Sequence, residues 1–539
     1  MLATFSGLDW AIVAVYILIG SAPGFLLRKY IRGQSEFLVA GRSLSIFLAT
    51  ATLTATELGL ITVMYFAQLG FLHGYSAFVI GVIALCCTLF VGLTGFMVSG
   101  FRASGVTTFA EYYEKRYGRG VRLLGGLILA AAGILNYGVF LKIEAEFVRI
   151  LTGIPDWQVA GMTLPSLNLV MSALVVLILA YTLLGGMVSV VVTDYIQFVV
   201  LTLGMGVTTW LVLTEPQTGG MAGIADAVHT HRPGYGVNPF ETVTIGRLVL
   251  GLGGAFVAWQ VLHWTASSCW QTAAFRTAAV DSPRTAKVMW SLTAVNYFGR
   301  AIIPMLWGVA ALAYFAHRDG GLAGVKDMQA MPQYLATILP SGVTGLLVAG
   351  MLAALMSTHS GYLLAWSGVL TEDLVTPLAA AFGVTLRDRT RLWLTRFFIT
   401  CLGAYLLVFG LWYETKSSVW AFLALTGSMY FAGAATLLAF GLYWKRANIG
   451  GAFAGLLCGA APGAFAMVVY MAALTVERAI TDPRHVPESL PGRINDLLSE
   501  PVLGLISYPL GILGMIVGSL VYERWRRTPP AAARAEDLP

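Results

Sequence analysis

The sequence predicts an all-α polytopic membrane protein, and three observations predict it. Of its 539 residues, 57% are hydrophobic and 11% charged, with a mean hydropathy of +0.76, a balance carried by neither a water-soluble globule nor a disordered chain. The apolar residues gather into about thirteen windows long enough to span a bilayer. Lys and Arg concentrate in alternate loops between those windows, as the positive-inside rule requires.

Taken in order, the first window runs from about Leu8 to Leu27. Residues 1–8 hold no Lys or Arg, so it reads as a retained span rather than a secretory signal. Arg28, Lys29, Arg32 and Arg42 follow, placing that loop in the cytoplasm and the N-terminus outside. Further windows fall at roughly 45–70, 75–99, 122–152, 167–185, 187–213, 245–272, 285–316, 341–372, 391–412, 417–443, 449–474 and 501–523. Alternation puts the basic clusters Arg102–Arg122, Arg276–Lys287, Arg387–Arg396, Lys445–Arg446 and Arg524–Arg534 inside. The loops at 214–244, 317–340 and 475–500 fall outside, and the C-terminal tail in the cytoplasm. This is the expected topology of a multi-pass protein of the plasma (inner) membrane. A net charge of +6 is no argument for nucleic acid here, because in a membrane protein the distribution of Lys and Arg matters more than their sum. The five cysteines lie in or beside apolar segments at no metal-ligand spacing, and no disulfide framework is expected.

Three windows carry chemistry. The second holds Ala51-Thr52-Leu53-Thr54-Ala55-Thr56-Glu57-Leu58-Gly59, polar and β-branched in mid-span with an acid at membrane depth; a buried ionisable group there is costly and marks a functional site by default. The window at 245–272 has a weak middle at Gly251–Gly254 and again at Trp264–Ser268. Discontinuous helices in corresponding halves point to a mid-membrane site, and starts five spans apart fit an inverted repeat. In the third window, Gly345 to Asp373, the residues Ala354, Ser357 and Thr358 fall at i, i+3 and i+4. One carbonyl and two hydroxyls therefore share a helix face, the hard oxygens a small cation prefers.

Five separated motifs resemble the sodium:solute symporter family. They are Phe37-Leu38-Val39-Ala40-Gly41-Arg42; the run Thr107 to Gly118; Tyr181-Thr182-Leu183-Leu184-Gly185-Gly186 leading to Thr193-Asp194-Tyr195-Ile196-Gln197; Trp270-Gln271 with Arg276; and Gly345 to Asp373. The resemblance implies a leucine-transporter-like core of two inverted five-helix repeats. One helix and a loop precede it (1–43), the repeats occupy 44–213 and 245–446 around the loop 214–244, two helices follow (447–525), and a tail covers 526–539. It implies a sodium ion held by the carbonyls of Ala55, Leu58 and Ala354 and the hydroxyls of Ser357 and Thr358. It implies a solute held near Glu57, Tyr137, Trp270 and Gln271, the Trp and Tyr resembling the aromatic cage of choline transporters. Glu57 departs from the Trp, Asn or Asp that family members carry there, replacing an aromatic wall with a negative one.

An acid among aromatic faces favours a cation or zwitterion, choline-like, betaine-like or amino-acid-like, with cation–π attraction of ~0.5–2 kcal/mol per ring. Glu57 could instead serve the ion or bind a proton in its place, and the tryptophans could be packing or interfacial residues. Asp194 is read either as a relay for ion release or as a helix cap. Lys142, Glu146 and Arg149 at i, i+4 and i+7 read as an ion-pair ladder, and His359 has no second metal ligand at suitable spacing. No triad, phosphate loop or nucleotide motif supports an enzyme. The expectation is a sodium-coupled symporter importing a small polar solute across the bilayer. A solute sensor with a separate partner and a proton-coupled carrier are the alternatives.

Overall fold

A computed structural model describes residues 5–27, 34–159, 161–250, 253–318, 321–413, 419–479 and 500–527. The basic residues Arg28, Lys29 and Arg32, the pair Gly251-Leu252 and most of the 475–500 loop and C-terminal tail lie outside them.

The described chain is helical apart from one short hairpin, Trp157–Val159 paired with Met162–Leu164. In chain order the helices used below are α1 (Gly7–Leu27), α2 (Ile46–Glu57), α3 (Leu60–His73), α4 (Phe78–Thr94), α5 (Phe109–Tyr117), α6 (Arg119–Gly138), α7 (Phe140–Thr152) and α8 (Ser166–Thr214). They continue as α9 (Ala255–Ala266), α10 (Gln271–Ala279), α11 (Pro283–Ala316), α12 (Asp327–Ile338), α13 (Val343–Val369), α14 (Asp388–Trp412), α15 (Val419–Tyr443), α16 (Ile449–Ala479) and α17 (Glu500–Arg527).

Ten helices among the described residues are long and apolar enough to cross a membrane, against about thirteen windows in the sequence. The difference has a physical cause. The 45–70 window is broken at Leu58-Gly59, so its second half runs on with α4 as one segment, Leu60–Thr94. The 245–272 window is broken between α9 and α10, and the apolar part of α1 is short, Gly7–Pro23. Both interruptions fall in windows whose sequence is polar or glycine-rich, where helix propensity is weakest.

α13 is the central post. In its segment Val343–Ala381, 89% of the most apolar window is buried, against 33% for Gly504–Arg526 of α17, so α13 packs against protein on every side while α17 presents apolar surface outward. α1 is tied to this post: Asp9 Oδ1 accepts the N–H groups of Gly342 and Gly345, both at 2.7 Å, taking up donors left orphaned at the start of α13. α8 bends at Gly186, where φ is +50° and an added Cβ would lie 2.5 Å from Phe37. Only glycine fits there.

Two of the sequence motifs meet at the other end of α13. Thr108 caps α5 by accepting the Glu111 N–H at 3.0 Å and donates to Asp373 Oδ1 at 2.8 Å. Arg122 bridges Glu114 and Asp373, and Arg391 pairs with Glu372.

Candidate functional site

The first break forms because α2 ends at Glu57 and the backbone opens at Leu58 (φ −95°, ψ 66°) before Gly59 starts α3. The end of a helix leaves carbonyls without helical partners. Here Thr56 O accepts from Thr358 Oγ1 at 2.9 Å and Glu57 O accepts from Arg300 Nη1. The carbonyls of Ala55 and Leu58 accept no side-chain hydrogen bond among the described residues. Thr56 Oγ1 lies 3.4 Å from Ser357 Oγ. Gly59 is packed so closely on α13 that a Cβ would sit 2.6 Å from Thr358 Oγ1. The break and the Ala354-Ser357-Thr358 face of α13 are therefore in contact, and all five residues expected to hold sodium are buried. The donor set, carbonyl and hydroxyl oxygens alone, suits a small hard cation.

Asp194, on the second limb of α8, lies against this face. Its Oδ1 accepts from Ser357 Oγ at 2.5 Å, and its Oδ2 accepts from Thr52 Oγ1 and lies 3.7 Å from Arg276 Nη2. Asp194 and Arg276 are both fully buried. Asp194 bonds to side chains of α2 and α13 and pairs with one of α10, and accepts no backbone N–H among the described residues. It is a crossing point of four segments rather than the cap of its own helix.

The second break, between α9 and α10, is a tight turn at Ser267–Cys269 with an extended Trp270 (φ −72°, ψ 137°). Extension at Trp270 swings its ring into a cavity of about 120 Å³, whose lining includes Glu57, Trp264, Trp270, Arg300, Tyr362 and Phe431. Trp270 Nε1 donates to Tyr362 OH at 3.0 Å, and its ring lies 5.0 Å from that of Phe431. Gln271 does not line this cavity. It is fully buried at the start of α10, its Oε1 accepting from Phe109 N at 3.4 Å. Tyr137 also lies outside the lining, one layer back, its ring 5.2 Å from that of Tyr362.

Glu57 is held by three side chains. Arg300 Nη1 lies 3.0 Å from its Oε2, Tyr297 OH donates to the same oxygen at 3.1 Å, and Thr272 Oγ1 donates to Oε1 at 3.3 Å. The Arg300 guanidinium sits 3.9 Å from the centre of the Tyr297 ring and 5.5 Å from that of Trp264. The cavity wall thus carries one charge of each sign. Arg300 lies in the middle of an apolar span, so the rule that singles out Glu57 applies to it equally.

A second network escaped the sequence reading. Glu144 Oε1 accepts the N–H of Ile61 at 3.1 Å, an orphan donor in the first turn of α3. Its Oε2 meets His359 Nε2 at 2.5 Å, and Tyr137 OH lies 2.6 Å from His359 Nδ1. His359 therefore has a fixed structural place beside Thr358. The expected ladder on α7 is only partly formed: Glu146 pairs with Arg149 at 2.6 Å, while Lys142 turns to the carbonyl of Tyr413.

Two interrupted helices that bring an oxygen-lined site and a cavity together inside a helical membrane bundle define the architecture of a secondary transporter. The fold matches the substrate-bound outward-open state of a Na+-coupled sialic acid symporter with a TM-score of 0.73 at 18% identity, over 96% of this chain and 98% of that one. The chain belongs to the sodium:solute symporter family, whose model matches residues 37–459. It is 27% identical over 417 residues to the sodium-coupled monocarboxylate transporter 2 of Danio rerio, covering 74% of this chain and 62% of that protein's length. It is 25% identical over 479 residues to a putative sodium-dependent multivitamin transporter of Drosophila melanogaster, covering 85% of this chain and 74% of the relative. It is 25% identical to the human sodium/iodide cotransporter, over 69% of this chain and 56% of that protein.

Proposed function

We propose that this chain is a sodium-coupled symporter that imports a small polar solute across the plasma membrane by alternating access, with its N-terminus outside and its C-terminus in the cytoplasm. The observation that carries the reading is the contact between the α2–α3 break and α13, through Thr56, Gly59, Ser357 and Thr358, beside a cavity walled by Glu57, Arg300 and Trp270. A sodium ion held by Ala55, Leu58, Ala354, Ser357 and Thr358 would reinforce the junction of two elements that meet through Thr56, Ser357 and Thr358 and the close packing of Gly59. The ion would favour the conformation in which both halves of the site are assembled, so ion and solute share one conformational equilibrium. Asp194, bonded to Ser357, would receive the ion when that equilibrium shifts.

The repeats at 44–213 and 245–446 would then move against each other about the two breaks. The solute reading changes in one respect. Of the cation and the zwitterion that Glu57 among aromatic rings would suit, the Arg300 partner favours the zwitterion, because the cavity wall carries a positive charge beside the negative one.

The test is thermal stability of the purified chain in NaCl against KCl at equal ionic strength. A ligand at 100 times its Kd stabilises by about 2.7 kcal/mol, so sodium is expected to raise the melting temperature selectively, and Ser357→Ala to abolish the difference. Equal stability in the two salts would sink the sodium assignment. No observation favours the proton-coupled or sensor alternatives over this reading.

A further inference from the structure

The guanidinium of Arg300 is only half used. Nη1 serves both the carbonyl and the carboxylate of Glu57. Nε is buried without a hydrogen-bond partner, and Nη2 makes no hydrogen bond among the described residues. Nε and Nη2 form the side edge of the guanidinium, two parallel N–H donors at the spacing of carboxylate oxygens. The Tyr297 ring packs against the group at 3.9 Å, with the Trp264 ring beside it at 5.5 Å, and the Nε–Nη2 edge is the part of the guanidinium without a hydrogen-bond partner among the described residues. A buried, unpaired charged donor costs free energy unless a ligand completes it.

Resting on the symport reading above, we infer that Arg300 is the anchor for a carboxylate on the transported solute, gripped in a bidentate pair by Nε and Nη2. Glu57 has a different task from the one its charge first implies. It balances Arg300 when the cavity is empty and fixes the guanidinium through Nη1, so that the free edge is presented in one orientation. The rest of the solute lies against Trp270, Tyr362 and Phe431, an apolar and aromatic wall. A cavity of about 120 Å³ holds roughly four waters at their liquid volume and is of the order of one that accepts a benzene ring. The class is therefore a small carboxylate with an apolar or aromatic body, in which a second, cationic group is permitted but not required. A quaternary cation lacking a carboxylate would leave the Arg300 edge unsatisfied and set its charge near a fixed positive one.

The experiment uses the full chain in detergent with saturating NaCl, and reads the melting temperature against six probes: butyrate, benzoate, butyramide, benzamide, betaine and choline. Each acid and its amide have nearly the same shape, so the pair isolates the carboxylate. At least one acid or betaine is expected to stabilise in a concentration-dependent way, with neither amide nor choline doing so. Arg300→Lys keeps the charge opposite Glu57 but loses the fork, and is expected to weaken the responding acid by about tenfold or more while the sodium-dependent shift persists. Should that variant fold poorly, the paired Glu57→Gln/Arg300→Gln change keeps the cavity neutral and serves the same comparison. Amides that match their acids, a response to choline alone, no response to any carboxylate, or unchanged acid affinity in Arg300→Lys would each overturn the proposal. Loss of the sodium shift in the parent chain would instead overturn the symport reading, so the two failures are distinguishable.

Discussion

Glu57 and Asp194 are both acids at membrane depth, both paired with an arginine from the second half of the chain, and both within reach of the first helix break. Their surroundings differ. Asp194 and Arg276 are fully buried, and Asp194 is shared among Thr52, Ser357 and Arg276, so each segment it touches is tied to the others. The Glu57 side chain keeps 14% of its surface exposed and, with Arg300, lines the cavity. A closed pair of charges can only hold or release its own elements. An open one can also read what enters the cavity. Two ion pairs of similar composition thus stand in different settings, one joining helices beside the proposed ion site and the other facing the cavity proposed for the solute.

The comparison breaks most sharply at Asp194. Removing one partner of a buried pair leaves an uncompensated charge and typically costs about 3–5 kcal/mol. Asp194→Ala is therefore expected to lower the melting temperature strongly and to erase the NaCl-over-KCl difference. If it lost stability but kept the sodium response, Asp194 would be a scaffold residue only. Gly59→Ala comes next. Its Cβ would meet Thr358 Oγ1 at 2.6 Å, and overpacking of that kind costs about 1–3 kcal/mol, concentrated here at the contact between the break and α13. The expected signature is a reduced sodium shift that exceeds the loss of stability in KCl.

At the open pair the effect should be smaller and of another kind. Glu57→Gln keeps the oxygen that accepts from Tyr297 and Arg300 but removes the charge, a change of about 1–2 kcal/mol on the scale of charged against neutral hydrogen bonds. Sodium stabilisation is expected to survive, while solute affinity changes. Equal loss of both responses would erase the division of labour between the two acids.

The parts of this arrangement that could be read from the chain were those whose chemistry clashes with their setting. Ser357, Thr358, Glu57 and Asp194 stand out because hydroxyls and acids are conspicuous in apolar windows. The broken helices could be read from Thr52–Gly59 and from Trp264–Ser268. Arg300 was equally conspicuous, in Tyr297-Phe298-Gly299-Arg300-Ala301, yet its pairing with Glu57 depends on how α11 rotates against α2, which no spacing along the chain specifies. Glu144 was hidden between Lys142 and Glu146, which looked like a ladder at helical spacing. Trp270 and Gln271 are neighbours, and only the extended backbone at Trp270 sends one ring to the cavity and leaves the other side chain facing Phe109.

Glu144 offers the finest test, because it touches neither acid yet supports both. It holds the first turn of α3 through Ile61 N and holds α13 through His359, so it fixes the spacing across the break from the side opposite Asp194. Glu144→Gln can still accept the Ile61 N–H and still reach the imidazole, and is expected to cost only about 0.5–1.5 kcal/mol, the net worth of an ordinary hydrogen bond. Glu144→Ala leaves the N–H bare and removes the imidazole's partner as well. If the spacing across the break is what positions the carbonyls of Ala55 and Leu58, Glu144→Ala weakens sodium stabilisation and Glu144→Gln restores most of it. A rescue of stability without a rescue of the sodium response would show that Glu144 braces the fold and leaves the ion site to Asp194 alone.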